Sequence, residues 1–233
     1  MTRPAATARA REVLTGLNRR YHLKARAREL LAVGEQLTVP LRRRRLEKLR
    51  GTGERPLMIH LGCGTVALPG WVNIDVGRRS AADVHWDLRH GLPLADRSVG
   101  LYYSEHFFEH VSLSQGQRLF SDLARTLQSD GVVRIAMPDL SAVVRNYLDG
   151  TWRDVRALQD PAFASIDTPA HYINVTFREW GHLYLYDFDE LQQRLQRAGF
   201  SRVERCERGQ SSVAQLKDLE TREESRLIVE ARL

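Results

Sequence analysis

The sequence predicts an α/β protein: a seven-stranded, mostly parallel sheet with helices on both faces, preceded by a helical N-terminal extension. Three observations carry this expectation. From residue 56 onward, short apolar runs alternate with segments of three- and four-residue apolar spacing. The first run ends in a tight glycine turn, Gly62-Cys63-Gly64. The chain has 233 residues, enough for one full core plus an appended segment.

The extension comes first. Val13, Leu14, Leu17, Tyr21, Leu30 and Leu31 predict a helix over 8–33. Pro40 interrupts it, a second short helix over 41–49 follows, and Gly51-Thr52-Gly53 reads as a linker. The domain boundary is therefore placed at 53/54, with a basic helical extension over 1–53 and the main body over 54–233. Residues 1–50 hold 14 Lys and Arg against 4 Asp and Glu, whereas the rest of the chain holds 21 against 25. The net charge of +6 thus belongs to the extension, not to the body. Arg42, Arg43, Arg44, Arg45, Lys48 and Arg50 form its densest patch. That patch is either a solvated helix face or a docking surface for an anionic partner, nucleic acid or an anionic membrane. No aromatic residue interleaves with these arginines, which weighs against single-strand binding.

In the body, Leu57–Leu61 is a buried strand, and 71–76, 83–88 and 99–104 are the next three. A helix follows through Leu119, Leu123 and Leu127. A fifth strand is expected over 131–137 and a helix over about 140–148. A helix over 187–198 turns Leu191 and Leu195 inward, and strands over 200–206 and 227–232 close the chain. The intervening stretch, about 149–186, is too long for a simple connection. Its Trp152, Phe163, Tyr172, Trp180 and Tyr184 suit a lid over a polar, ring-shaped acceptor, or a small satellite core over the sheet edge.

Composition excludes several classes. No run of about 18 apolar residues is present, so no membrane-spanning helix is expected. No apolar stretch of the secretory kind opens the chain. The two cysteines, Cys63 and Cys206, have neither metal-type nor disulfide-scaffold spacing, which fits a reducing, cytoplasmic compartment. His171 and His182 stand eleven apart with no third ligand at suggestive spacing, so no metal site is expected.

Ligands of open parallel sheets bind beyond the carboxyl ends of the strands. The glycine turn Gly62-Cys63-Gly64 sits there and lets a ligand approach the backbone. Asp75 ends the second strand, and its carboxylate can accept both hydroxyls of a ribose. Asp87 follows the third strand, placed to meet an adenine amino group, with Leu88 covering the ring. Each acid alone is more often a turn or helix cap; together, in register with the turn, they outline a nucleoside site.

These segments, with Tyr103-Ser104-Glu105-His106-Phe107-Phe108-Glu109-His110, Leu127-Gln128-Ser129-Asp130-Gly131, Met137-Pro138-Asp139 and Gly181-His182-Leu183-Tyr184-Leu185-Tyr186-Asp187-Phe188, resemble the class I S-adenosylmethionine-dependent methyltransferases. The last segment is similar to that of a small bacterial branch of the family. The resemblance runs from about residue 56 to 232. It implies a Rossmann-like seven-stranded sheet, S-adenosylmethionine as cofactor, and an enzyme acting on a small-molecule or glycan-type substrate. It also implies roles: the backbone of Gly62, Cys63 and Gly64 against the methionine part, Asp75 on the ribose, Asp87 and Leu88 on the adenine, and Ser104 bordering the sulfonium. The sequence departs from the family at His60 and Gly100, where acidic residues are usual, and at Ser129 and Asp130 in the turn before the fifth strand. An imidazolium at residue 60 would repel the cofactor's cationic groups, whereas a neutral imidazole can accept a hydrogen bond.

A methyl transfer to a sugar or alcohol hydroxyl needs a base beside it. Candidates are His106, Glu109, His110, Asp139, His171 and His182, with His106 and His182 preferred. Glu109 and His110 read rather as helix-start packing and capping, and Asp139 equally as a cap. Two other classes stay open. A nicotinamide-dependent oxidoreductase is disfavoured because Ala67 stands where a third glycine is needed. A non-catalytic adapter would work through its Arg-rich N-terminus.

Overall fold

In the computed structural model the described residues are 56–155, Leu158 and 163–233, less the Glu179 side chain. The basic extension, its helices over 8–33 and 41–49, the linker at 51–53 and the boundary at 53/54 lie outside the described residues.

The strands are β1 (Leu57–Leu61), β2 (Val72–Asp75), β3 (Val84–His85), β4 (Val99–Glu105), β5 (Leu127–Met137), β6 (Arg202–Arg205) and β7 (Leu227–Arg232). They form one sheet in the order β3-β2-β1-β4-β5-β7-β6. β1 to β5 run parallel, and β7 runs antiparallel to both β5 and β6. The chain steps outward from β1 through β2 to β3 and then returns to β4. The switch point therefore lies between β1 and β4, and a crevice opens beyond their carboxyl ends. This is the Rossmann-like seven-stranded sheet expected from the sequence.

The α-helices are α1 (Leu113–Thr126), α2 (Leu140–Leu148), α3 (Pro169–Asn174) and α4 (Phe188–Ala198). Ser112 and Gln115 close a reciprocal capping box at the start of α1. Asp187 caps α4, and Gly199 ends it at φ 110°, a conformation glycine adopts without strain. α1 and α4 pack together on one face of the sheet, burying Leu119, Phe120, Leu123, Leu191 and Leu195. Tyr102 projects toward this face and bonds Thr126 of α1 at 2.7 Å. On the opposite face the described residues that cover the sheet are loops and a 3-10 turn (Ala214–Leu216). There Trp71, Tyr103, Val132 and Leu216 make a separate core.

Two expected elements shift. Leu127 belongs to β5 rather than to the preceding helix. Thr126 turns its hydroxyl back onto the Asp122 carbonyl at 2.6 Å, and Leu127 is already extended, paired with Val99. The turn expected over 127–131 is a bulge inside a longer strand, because pairing advances from Leu127 to Val132 while β4 advances only from Val99 to Leu101. Gly100 is explained by packing: a Cβ there would lie 2.8 Å from the Pro56 side chain.

Candidate active site

The glycine turn leaves β1 with Gly62 at φ 65° and Gly64 at φ 53°, both in the left-handed region. The N–H groups of Gly62 and Cys63 share the Ile74 carbonyl at 2.8 and 3.2 Å, which locks the turn to β2. At Gly62 a Cβ would come within 2.6 Å of the Phe107 ring, whereas at Gly64 it would meet nothing within 4 Å. So the first glycine admits a neighbouring side chain and the second faces open space. Asp75, at the end of β2, accepts Gly64 N–H at 2.9 Å and Gly77 N–H at 2.6 Å, one on each oxygen. Each oxygen keeps lone-pair capacity for a further donor. Burial pushes the Cys63 thiol up to about 12, so it is not a nucleophile.

These residues line a cavity of about 220 Å³ with His60, Tyr103, Glu105, His106 and Phe107. Gly62, Cys63, Gly64 and Asp75 are thus brought together as expected. Asp87, Leu88 and Ser104 are not among the lining residues. The Asp87 carboxylate caps the 3-10 turn after β3 and pairs with the Arg89 guanidinium at 2.6 Å, while Leu88 is buried. Ser104 is buried because strand alternation places it with Tyr102, on the helix face; Tyr103 and Glu105 point to the cavity side. β4 also continues one residue beyond Ser104, so Glu105 and His106 stand at its carboxyl end.

Glu105 was missed by the sequence reading, together with the segment between β6 and β7. Its carboxylate accepts the N–H groups of Thr221 and Arg222, both near 3.0 Å, and the hydroxyls of Thr221 (2.6 Å) and Ser225 (2.7 Å). Burial raises its carboxyl, but these bonds outweigh burial and hold it below the ordinary value. Leu219, Thr221 and Arg222 thereby become the lip of the cavity. Only an acid following Ser104 signals this in the sequence; its partners lie more than 110 residues away.

His60 is 3 % exposed and faces Asn73 at 3.1 Å from Nδ1 to Oδ1. That oxygen also accepts Leu68 N–H, and the Asn73 amide nitrogen donates to Leu68, Trp71 and Asp83. The oxygen is therefore an acceptor, His60 donates from Nδ1, and its Nε2 holds a lone pair. Burial lowers the pKa of His60 against the opposing pull of Asn73. Residue 60 is thus a neutral acceptor, not a repelling cation. With the folded value depressed below the ordinary 6.5, the unfolded chain binds the proton more readily. Its stabilising contribution is full above 6.5 and falls as pH drops below it, at up to about 1.4 kcal/mol per pH unit. Denaturant melts from pH 7.5 to 5 are expected to show this slope reduced in His60→Gln; an equal slope in both proteins excludes His60 as its source.

A second cavity of about 580 Å³ opens beyond β4 and β5. Part of its wall comes from the described residues of the 149–186 stretch: Trp152, Ile166, Tyr172 and Val175 pack with Val143 of α2 as a satellite core, while Phe163, Tyr172, Trp180 and His182 line the cavity. Asp139 caps α2 through Ser141 N–H at 2.9 Å and pairs with Arg205 at 2.6 Å. His171 is at the surface, 3.6 Å from Asp167.

His106, His110 and Arg222 line both cavities. His106 holds φ 51°, a strained conformation for a non-glycine residue and one found at functional sites. Its N–H bonds the Ala136 carbonyl of β5 at 2.9 Å. Its Nδ1 lies 3.0 Å from Glu109 Oε1, and its Nε2 is buried without a partner. His182 donates from Nδ1 to the Thr176 carbonyl at 2.6 Å, on the single π-helical turn Val175–Glu179.

No protein-family model matches the chain, and no curated protein matches it. Likenesses occur among solved structures. One is a SAM-dependent methyltransferase from Archaeoglobus fulgidus, with 16 % identity, 74 % of each chain covered and a TM-score of 0.43. Another, from Thermotoga maritima, is described as a SAM-dependent methyltransferase and possible histamine N-methyltransferase. It shows 15 % identity, covers 85 % of this chain and 94 % of that one, and has a TM-score of 0.45. A third, an S-adenosylmethionine dependent methyltransferase from Mesorhizobium loti, shows 19 % identity over 81 % and 95 %, with a TM-score of 0.43. Among the described residues no helix is long and apolar enough to cross a membrane.

Proposed function

We propose that this chain is a methyltransferase that uses S-adenosyl-L-methionine and methylates a hydroxyl of a small polar acceptor, a sugar, glycan precursor or natural product. The carrying observation is the pair of cavities that meet at His106. The smaller has the features a nucleoside with an amino-acid tail requires: an open glycine turn, an aspartate with lone pairs to spare, and a neutral imidazole acceptor in place of a cation. Asp75 would hold the ribose, and the Gly62–Gly64 backbone with His60 the methionine part. Bound there, the cofactor supplies a methyl group on a sulfonium, already a good leaving group. What remains for the chain is orientation and proton removal. The larger cavity offers aromatic faces (Phe163, Trp180) and polar groups (Asn146, Asp154) suited to a hydroxylated ring. His106, between the two, is assigned as the base that takes the hydroxyl proton; Glu109 beside Nδ1 would steady the resulting imidazolium. Asp87 and Leu88 stay assigned to the adenine end, as the resemblance implies; Ser104, buried on the helix face, is not given the sulfonium.

Calorimetric titration with S-adenosylmethionine and S-adenosylhomocysteine tests this reading. Micromolar binding is expected for the wild-type protein. Asp75→Ala should weaken it at least about 100-fold, because two bonds to a charged group are lost at about 1.5–3 kcal/mol each. Unchanged affinity in that variant removes the ribose assignment, and no binding by the wild-type protein removes the cofactor.

A further inference from the structure

We propose that Glu109, His110 and His182 form a binding site for a divalent first-row metal ion in the wall of the larger cavity. One carboxylate oxygen of Glu109 and a ring nitrogen from each histidine lie within 4.8 Å of one another. The chain brings them together through the backbone: the Glu109 carbonyl accepts the N–H groups of Leu183 (2.7 Å) and Tyr184 (3.3 Å), which lays the 181–184 segment against the 3-10 turn Phe108–His110.

Two further observations point to a ligand. Glu109 is 0 % exposed, and neither of its oxygens has a hydrogen-bond partner; the 3.0 Å approach of His106 Nδ1 lacks hydrogen-bond alignment. A fully buried carboxylate so placed is costly unless a cation answers it. Second, both histidines are oriented as metal ligands are. His110 donates from Nδ1 to the Gly181 carbonyl at 3.2 Å, and His182 donates to the Thr176 carbonyl at 2.6 Å. Each tautomer is thereby set, and each Nε2 keeps its lone pair. A carbonyl holding the far nitrogen is the usual outer support of a metal-bound histidine.

The donor set selects the ion. Two imidazoles and one carboxylate suit zinc, cobalt, iron or manganese better than magnesium or calcium, which favour all-oxygen surroundings. With bonds of about 2.1 Å, tetrahedral ligands stand about 3.4 Å apart. Nε2 of His110 is 3.9 Å from Oε1 of Glu109 and the side chain is 38 % exposed, so a metal would draw these two ligands inward. His110 and His182 both line the larger cavity, and an oxygen from that side, water or an acceptor hydroxyl, would complete the coordination. Only that last role, lowering the hydroxyl's pKa, rests on the proposed methyl transfer; the site itself does not.

The test uses the metal alone. Full-length protein stripped with a chelator is titrated with Co²⁺, followed by ligand-field absorption, and the ion is then displaced with Zn²⁺. One equivalent is expected to bind. Glu109→Gln and His182→Ala should each weaken it at least about 100-fold, since losing even an outer partner costs about 10–100-fold. His171→Ala should leave it unchanged. Glu109→Gln is nearly isosteric and removes an unanswered charge, so it should melt no lower than metal-free wild type and carries the test if His182→Ala fails to fold. Absence of stoichiometric Co²⁺ binding by wild type, or wild-type affinity in folded Glu109→Gln, overturns the site. Cofactor titration of the same samples is read separately, so a failure here leaves the methyl-transfer reading standing.

Discussion

His106→Asn is expected to lower kcat about 10²–10⁴-fold while changing cofactor affinity less than about threefold. Asparagine is the substitution to use because it tolerates the left-handed backbone that His106 holds at φ 51°. The fold of the loop after β4 is then kept, and only the imidazole is removed. The large kcat effect follows from the assigned role: proton removal is realised in the transition state and not in ground-state binding. The small affinity effect follows because the ribose and methionine contacts are assigned to Asp75, His60 and the glycine turn. Steady-state kinetics with an accepted hydroxyl substrate, beside cofactor titration, separates the two. A raised KM with unchanged kcat would make His106 a binding residue and return the base to His182.

Arg134→Met is expected to destabilise the protein by about 3–5 kcal/mol and lower Tm by about 6–20 °C. Arg134 is fully buried on β5, 2.6 Å from Glu220 and 2.8 Å from Glu230, and it also donates to the carbonyls of Glu207 and Gln210. Removing it leaves the Glu220 carboxylate without a cation and Glu230 with only the Arg232 guanidinium at 3.7 Å, which is the costly direction for a buried pair. It also frees the 207–225 segment, whose Thr221 and Arg222 form the lip of the cofactor cavity. Weaker cofactor binding should therefore accompany the loss of stability. Restoring most of the Tm by adding Glu220→Leu and Glu230→Leu would identify unpaired charge, rather than lost packing, as the cause. A scanning-calorimetry shift below about 2 °C in the single variant would show the triad to be energetically neutral.

Much of the sheet was legible because strands such as β1 are short apolar runs; Leu57–Leu61, Asp187 as a cap and Gly199 as a stop are local signals. The glycine turn and Asp75 were legible for the same reason, since both lie where a strand ends. Along β4, Ser104 faces the helices, whereas Glu105 and His106 reach the crevice. One further residue of strand decides this, and extra length is set by pairing with β5, not by local sequence.

What the sequence by itself determined is the order of elements, the glycine turn, the acid after β2 and the candidacy of His106 and His182. What only the tertiary structure decided is which of these meet. Glu109 and His182 are 73 positions apart, and Arg134 and Glu230 are 96 apart, so no spacing rule joins them. Their proximity is produced by a sheet that inserts β7 beside β5 and by backbone bonds from Glu109 to the insertion. The charge state of His60 and the unanswered carboxylate of Glu109 depend on burial, a property of the packed chain that residue identity alone does not carry.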